Sequence, residues 1–157
     1  WLQGRMEVGP RALGGSSLLA DPRSPTMREH LNQTVKRREW FRPFAPAVLE
    51  ERCSEWFDWD QPSPYMLFTA RVRRPDLIPA VTHVDDTSRM QTVSRTSNPL
   101  FYELIDRFYR RTGVPMLLNT SFNGPGEPII VNADQARARF AASPIDMLVA
   151  DGAIVAR

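Results

Sequence analysis

The pattern of apolar and polar positions divides the chain into short strand-like runs alternating with helical stretches. A glycine-rich opening, with Gly4, Gly9, Gly14 and Gly15 around Pro10, reads as a loop leading into a short strand near Ser17 to Ala20. After the break Asp21-Pro22-Arg23-Ser24-Pro25, the residues Met27, Leu31 and Val35 recur at four-residue spacing. They predict a helix capped by Ser24 or Thr26 that delivers Lys36 at its C-terminal end. Phe44 to Leu49 is an apolar, strand-like run, and Glu50 to Trp59 predicts a short helix burying Cys53, Trp56 and Phe57. Tyr65 to Val72 alternates as a strand ended by Arg73-Arg74-Pro75, and a polar cluster from His83 to Arg89 reads as a loop between two strands.

The clearest helix is Asn98 to Thr112. Asn98 or Ser97 caps it, Pro99 fits its first position, Gly113 ends it, and Leu100, Phe101, Leu104, Ile105 and Phe108 form the expected buried stripe. Val114 to Leu118 reads as a buried strand that opens into the loop NTSFNGPGEPI. Asn132 or Asp134 caps a short helix through Ala136, Ala138 and Phe140, and Met147 to Val155 closes the chain as one or two strands. Interleaved strands and helices predict an α/β domain with a mixed, twisted sheet and ligand loops at strand ends.

Length and composition narrow this picture. A chain of 157 residues fits one domain, large enough to bury about two-thirds of the surface it exposes when unfolded. The formal net charge is only +2, which argues against a bulk nucleic-acid coat. The single cysteine, Cys53, forms no intrachain disulfide, so a reducing cytoplasmic compartment is the expectation. Neither a membrane-length apolar run nor a signal-peptide pattern is present. The opening at Trp1 in mid-pattern leads us to expect a piece of a longer protein. His83 has only His30 and one cysteine for company, so no transition-metal site is expected. Cys53 has nothing beside it to lower its pKa and is read as packing.

The candidate chemistry is cationic. Lys36 is the only lysine, and it stands beside Arg37, Arg38 and Arg42. Lysine is a compact point charge and arginine a planar fork, so one lysine among guanidiniums points to a distinct role. Arg11 in the glycine-rich loop and Arg89 before a strand also lie among apolar or glycine-rich neighbours. Backbone amides of the opening loop are expected to approach an anion closely. If the fold gathers Arg11, Lys36, Arg38, Arg42 and Arg89, they form a polyanion pocket to which Ser121 and Asn123 add neutral hydrogen bonds; otherwise they are a structural arginine network. Asp85 and Asp86 are either a Mg²⁺ site or a solvated turn. Walker and Rossmann fingerprints are both missing.

Four ordered motifs, GRMEVGPRALG, NQTVKRREWFRPFAPAV, HVDDTSRMQTV and LLNTSFNGPGEPI, resemble the C-terminal domain of O-carbamoyltransferases of nodulation-factor, aminoglycoside and cephamycin biosynthesis. Lys36-x-Arg38 and Ser121-x-Asn123 are similar to the KxR and SxN signature of YrdC-like domains, which make threonylcarbamoyl-adenylate. The resemblance implies a single YrdC-like domain over residues 1–157 with a twisted mixed β-sheet flanked by helices. It also implies ATP-dependent activation of carbamoyl phosphate, with Mg²⁺, to carbamoyl-adenylate. A separate N-terminal domain of actin-like fold, which holds the family's metal, would then pass the carbamoyl group to a hydroxyl. By position, Lys36 and Arg38 become the catalytic pair, and Arg11, Arg42, Arg89, Ser121 and Asn123 bind substrate and nucleotide. The chain departs from the family pattern at Gly15-Ser16-Ser17, where Asn-Arg-Ser is commoner, at Asp86, where glycine is usual, and at Gly124-Pro125. The alternatives are a threonylcarbamoyl-adenylate synthase, using threonine and bicarbonate, and an RNA-binding module. The aromatics sit mostly at core spacing rather than among the basic clusters, which speaks against RNA.

Overall fold

The computed structural model describes residues Trp1 to Arg157. A four-stranded sheet organises it, built from β1 (Ser17–Ala20), β2 (Ala45–Leu49), β5 (Gln91–Val93) and β6 (Met116–Ser121) in the order β1-β6-β2-β5. β6 runs antiparallel to both β1 and β2, while β2 and β5 are parallel, so the sheet is mixed and the α/β class expected from the sequence is the one adopted. Every residue of β2 is buried, as a central strand covered on both faces requires. Its alternate residues then separate by face: Ala47 and Leu49 pack with Phe101, Tyr102 and Ile105 on one side, while Val48 belongs to the larger cluster on the other.

The first face is covered by α3 (Pro99–Thr112). Its start is fixed by the Asn98 side chain, which accepts from the Phe101 amide at 3.2 Å, and its end by Gly113 in the left-handed region at φ 75°. The buried stripe differs from the expected one. Leu100 is 49% exposed and Tyr102 is buried, because the Tyr102 ring joins the cluster above β2 while its hydroxyl donates to Glu51.

The opposite face is covered by α1 (Met27–His30) with the π-helical turns Leu31–Lys36 that continue it, by α2 (Cys53–Trp56) and by α4 (Ala133–Ala141). Leu31 and Val35 are buried as the spacing predicts, but neither Ser24 nor Thr26 caps the helix, since the two hydroxyls lie 3.2 Å from each other. Asn132, by contrast, caps α4 through the Gln135 amide at 2.9 Å.

Two small two-stranded sheets complete the fold: β3 (Ala70–Arg71) with β4 (Thr87–Ser88), and β7 (Met147–Ala150) with β8 (Ala153–Ala156). The strand expected over Tyr65 to Val72 shrinks to β3. Its only partner is two residues long, Met66 takes φ 53°, and Tyr65, Leu67 and Phe68 are exposed. The apolar alternation there reflects local packing instead, with Phe68 stacked on Trp59 at 5.1 Å. Conversely, β6 outlasts its apolar run and carries Asn119 and Ser121 within the strand. Those residues are therefore held by sheet hydrogen bonds rather than by a loop.

Candidate functional site

Lys36 ends the π-helical turns, and Arg37, at φ 45°, reverses the chain immediately after it. The Lys36 side chain is 5% exposed, and its ammonium faces the end of β6. It donates to the Ser121 backbone carbonyl, to Ser121 Oγ at 3.2 Å, to Asn123 Oδ1 at 2.6 Å and to the Asn123 carbonyl at 3.4 Å. Ser121 Oγ also donates to Asn123 Oδ1 at 2.8 Å, so the SxN pair forms one unit with the lysine. Burial, and then the neighbouring charges of Arg38 and Arg139, bring the Lys36 ammonium down to about 7. None of its close oxygens is a carboxylate, so its charge has no counterion in contact.

Arg38 is positioned by the fully buried Asn32, a residue to which the sequence reading gave no role. Asn32 Oδ1 accepts from Arg38 Nε at 2.7 Å, while Asn32 Nδ2 donates to the carbonyls of Trp40 at 3.0 Å and Arg42 at 2.9 Å. One buried amide thus pins both the guanidinium and the loop that carries it. The guanidinium lies 4.8 Å above the Phe44 ring.

Arg11, Arg38, Arg89, Asn119 and Ser121 line a single cavity of about 110 Å³ whose lining includes no acidic residue. Burial and the proximity of Arg42 lower the pKa of Arg38, and burial with Arg11 lowers that of Arg89. Arg11 and Arg89 thus face one another across a cavity whose walls carry no acid, an arrangement that suits an anion. A wider groove of about 450 Å³, lined by Gly9, Asn123 and Glu127 among others, shares Pro10 and Ser121 with this cavity.

Arg42 lies apart from this arrangement. Its side chain is half exposed and pairs with Glu39 at 3.1 Å, and it is not among the cavity walls. The fold therefore joins Arg11, Arg38, Arg89 and Ser121 directly, attaches Lys36 and Asn123 through Ser121, and leaves Arg42 at the rim.

The glycine-rich loop holds an anion of its own. Glu7 Oε1 accepts from the amides of Leu13 at 2.7 Å and Gly15 at 3.0 Å, and Oε2 accepts from Ser16 at 2.9 Å. The amides that the sequence assigned to a ligand are thus filled by Glu7, and they shape the loop that presents Arg11. Gly14 must be glycine here: φ is 106° and a Cβ would fall 2.3 Å from the Phe101 ring.

Beyond β6, Glu127 is paired with Arg139 and accepts from the Gly124 amide at 2.9 Å. A Cβ on Gly124 would meet the Arg139 guanidinium and the Glu127 carboxylate, the movable ends of two long side chains, so a substitution here would displace that ion pair. Asp85 accepts from the Thr87 amide at 3.1 Å and hydroxyl at 2.7 Å, closing a turn through Asp86 at φ 60°. Both carboxylates of the adjoining groove, Glu7 and Glu127, are already occupied. No group of three or more His, Cys, Asp or Glu side chains gathers here that could hold a metal ion. Cys53 is buried, and burial pushes its thiol up to about 11, in keeping with a packing role.

Sequence comparison gives this geometry its context. The family described as Carbamoyltransferase C-terminus matches residues 1–157. Nodulation protein NolO of Bradyrhizobium diazoefficiens is 48% identical over 154 residues, covering 95% of this chain and 28% of the relative. Nodulation protein NolNO of Sinorhizobium fredii is 51% identical over 154 residues, covering 95% and 23%. Nodulation protein U of Rhizobium tropici is 46% identical over 138 residues, covering 87% and 24%. The chain spans about a quarter of the length of these curated relatives. With the family matched from end to end, this chain belongs to the carbamoyltransferase C-terminal family.

Proposed function

We propose that this domain activates carbamoyl phosphate with ATP to form carbamoyl-adenylate, for transfer to a hydroxyl of a sugar or natural product by an N-terminal domain of actin-like fold. The observation that carries this reading is the acid-free cavity in which Arg11, Arg38 and Arg89 converge beside Lys36. Several uncompensated cations around a small polar cavity suit a reaction that brings two phosphate-bearing substrates together.

The reaction balances in two steps. Water cleaves carbamoyl phosphate to carbamate and inorganic phosphate. A carbamate oxygen then attacks the α-phosphorus of ATP, the bond to the β-phosphate oxygen breaks, and pyrophosphate leaves. The protein supplies positions and charge and requires no covalent nucleophile of its own. Arg11 and Arg89 hold the phosphate of carbamoyl phosphate, and Arg38, fixed by Asn32, spans the junction between the two substrates. Lys36 neutralises charge gathering on the α-phosphate, while Ser121 and Asn123, now its hydrogen-bond partners, turn to the nucleotide phosphates. Mg²⁺ on the triphosphate offsets further negative charge when bound.

Isotope exchange tests this reading. The full-length protein should exchange labelled pyrophosphate into ATP only when carbamoyl phosphate and Mg²⁺ are present. Exchange that is independent of carbamoyl phosphate, or unchanged in folded Lys36→Ala and Arg38→Ala variants, would refute it. Exchange driven by threonine and bicarbonate would assign the threonylcarbamoyl-adenylate reaction instead.

A further inference from the structure

Asn119 is among the residues lining the arginine cavity and is 1% exposed, yet its buried Oδ1 has no hydrogen-bond partner. The orientation of its amide follows from two fixed backbone carbonyls. Gln91 Nε2 donates to the Leu13 carbonyl at 2.9 Å, which turns Gln91 Oε1 toward Asn119. Asn119 Nδ2 donates to that Oε1 at 2.9 Å and to the Ala12 carbonyl at 3.1 Å. Both amide hydrogens are thereby used, and a flipped amide would set oxygen against oxygen. The acceptor left over belongs to a residue that shares a sheet face with Ser121, two positions on, and both residues line the cavity.

A donor is left over as well. Arg89 Nε is buried without a partner, and Arg89 is on the wall of the same cavity. Leaving a buried acceptor without a partner is costly, so a native site that keeps one points to a ligand that satisfies it. Phosphate, which offers mainly acceptors, answers the arginines and leaves Asn119 Oδ1 bare. An acyl phosphate carrying an NH₂ answers both.

Resting on the reading above, we propose that Asn119 is the specificity determinant of the cavity: its Oδ1 accepts from the NH₂ of a carbamoyl group whose carbonyl oxygen accepts from Arg89. The site thereby distinguishes carbamoyl phosphate from acyl phosphates that present a methyl group in the same place.

Calorimetric titration of the full-length protein, without ATP, tests this with carbamoyl phosphate, acetyl phosphate and inorganic phosphate as probes. The wild type should bind carbamoyl phosphate at least about tenfold more tightly than acetyl phosphate, the factor expected when a buried acceptor loses its only donor. Asn119→Leu should bring the ratio near one while keeping inorganic phosphate affinity within a few-fold. Equal wild-type affinity for the two acyl phosphates, or an undiminished preference in Asn119→Leu, would overturn the inference. Should Asn119→Leu fail to fold, the wild-type ratio of carbamoyl phosphate to acetyl phosphate affinity decides it. Equal affinity sinks only the role of Asn119, whereas binding of neither acyl phosphate sinks the carbamoyl phosphate reading itself.

Discussion

Two places in this domain are built for negative charge, and they have opposite fates. In the glycine-rich loop, three backbone amides close on the carboxylate of Glu7, an anion the chain provides for itself. In the adjoining cavity, Arg11, Arg38 and Arg89 converge with no acid among the walls, and Lys36 is buried against neutral oxygens. The same contrast recurs across the SxN pair, where Arg139 is neutralised by Glu127 while Lys36 is not. Where the chain supplies the counterion, the charges hold a loop in shape. Where it withholds the counterion, cationic potential is left for a ligand.

That contrast can be broken most severely at Lys36 and Arg38. Lys36→Ala or Arg38→Ala should lower pyrophosphate exchange by about 10²–10³-fold, the scale of losing one preorganised electrostatic contact, with the melting temperature nearly unchanged. A large fall in melting temperature would make these cations structural instead.

Glu7→Gln should act the other way. It retains the shape but loses the charge of the loop's internal anion, and should destabilise the fold by about 1–2 kcal/mol in chemical denaturation. If stability is unchanged and exchange is abolished, Glu7 belongs to the chemistry rather than to the loop.

The pH dependence sharpens the comparison further. With the Lys36 ammonium at about 7 rather than its ordinary 10.5, anion binding is favoured below pH 7 and weakens as pH rises through it. Binding near pH 7 should therefore take up a proton, measurable by calorimetry in buffers of different ionisation heat. For the unliganded fold the sign is opposite. Between about pH 7 and 10 the unfolded chain binds the extra proton, so stability rises with pH across that window. A flat binding profile from pH 6 to 9 would remove Lys36 from the site.

Arg42→Ala should have the smallest effect. Its partner Glu39 is exposed, as is the pair itself, and screened contacts of this kind shift phosphate affinity by no more than about threefold. A loss comparable to that of Arg38→Ala would move Arg42 from the rim into the cavity.

Much of the candidate site was legible in the chain because its signals are local. A lone lysine among arginines, a helix pattern ending on it, and small polar residues after an apolar strand all mark Lys36, Arg38, Ser121 and Asn123 without any knowledge of packing. Glu7 and Asn119 were not legible as contributors. A glutamate in a glycine-rich loop looks like surface charge until the loop closes on it, and an asparagine after an apolar run looks like the start of a turn. The error over Tyr65 to Val72 has a related cause, since alternation marks a strand only where a partner strand exists, and β4 pairs with just Ala70 and Arg71.

The sequence by itself determined the α/β alternation, the boundaries of α3 through Asn98 and Gly113, and the residue types able to bind an anion. These follow from propensity, capping and charge, which act within a few residues. Only the tertiary structure decided which cations meet, that Arg42 stays outside, that Glu7 fills the amide nest, and that Asn119 is left with one free oxygen. Those outcomes depend on side chains far apart in sequence competing for the same partners in a buried space. Whether a polar atom is satisfied or left for a ligand is settled only when every neighbour is in place.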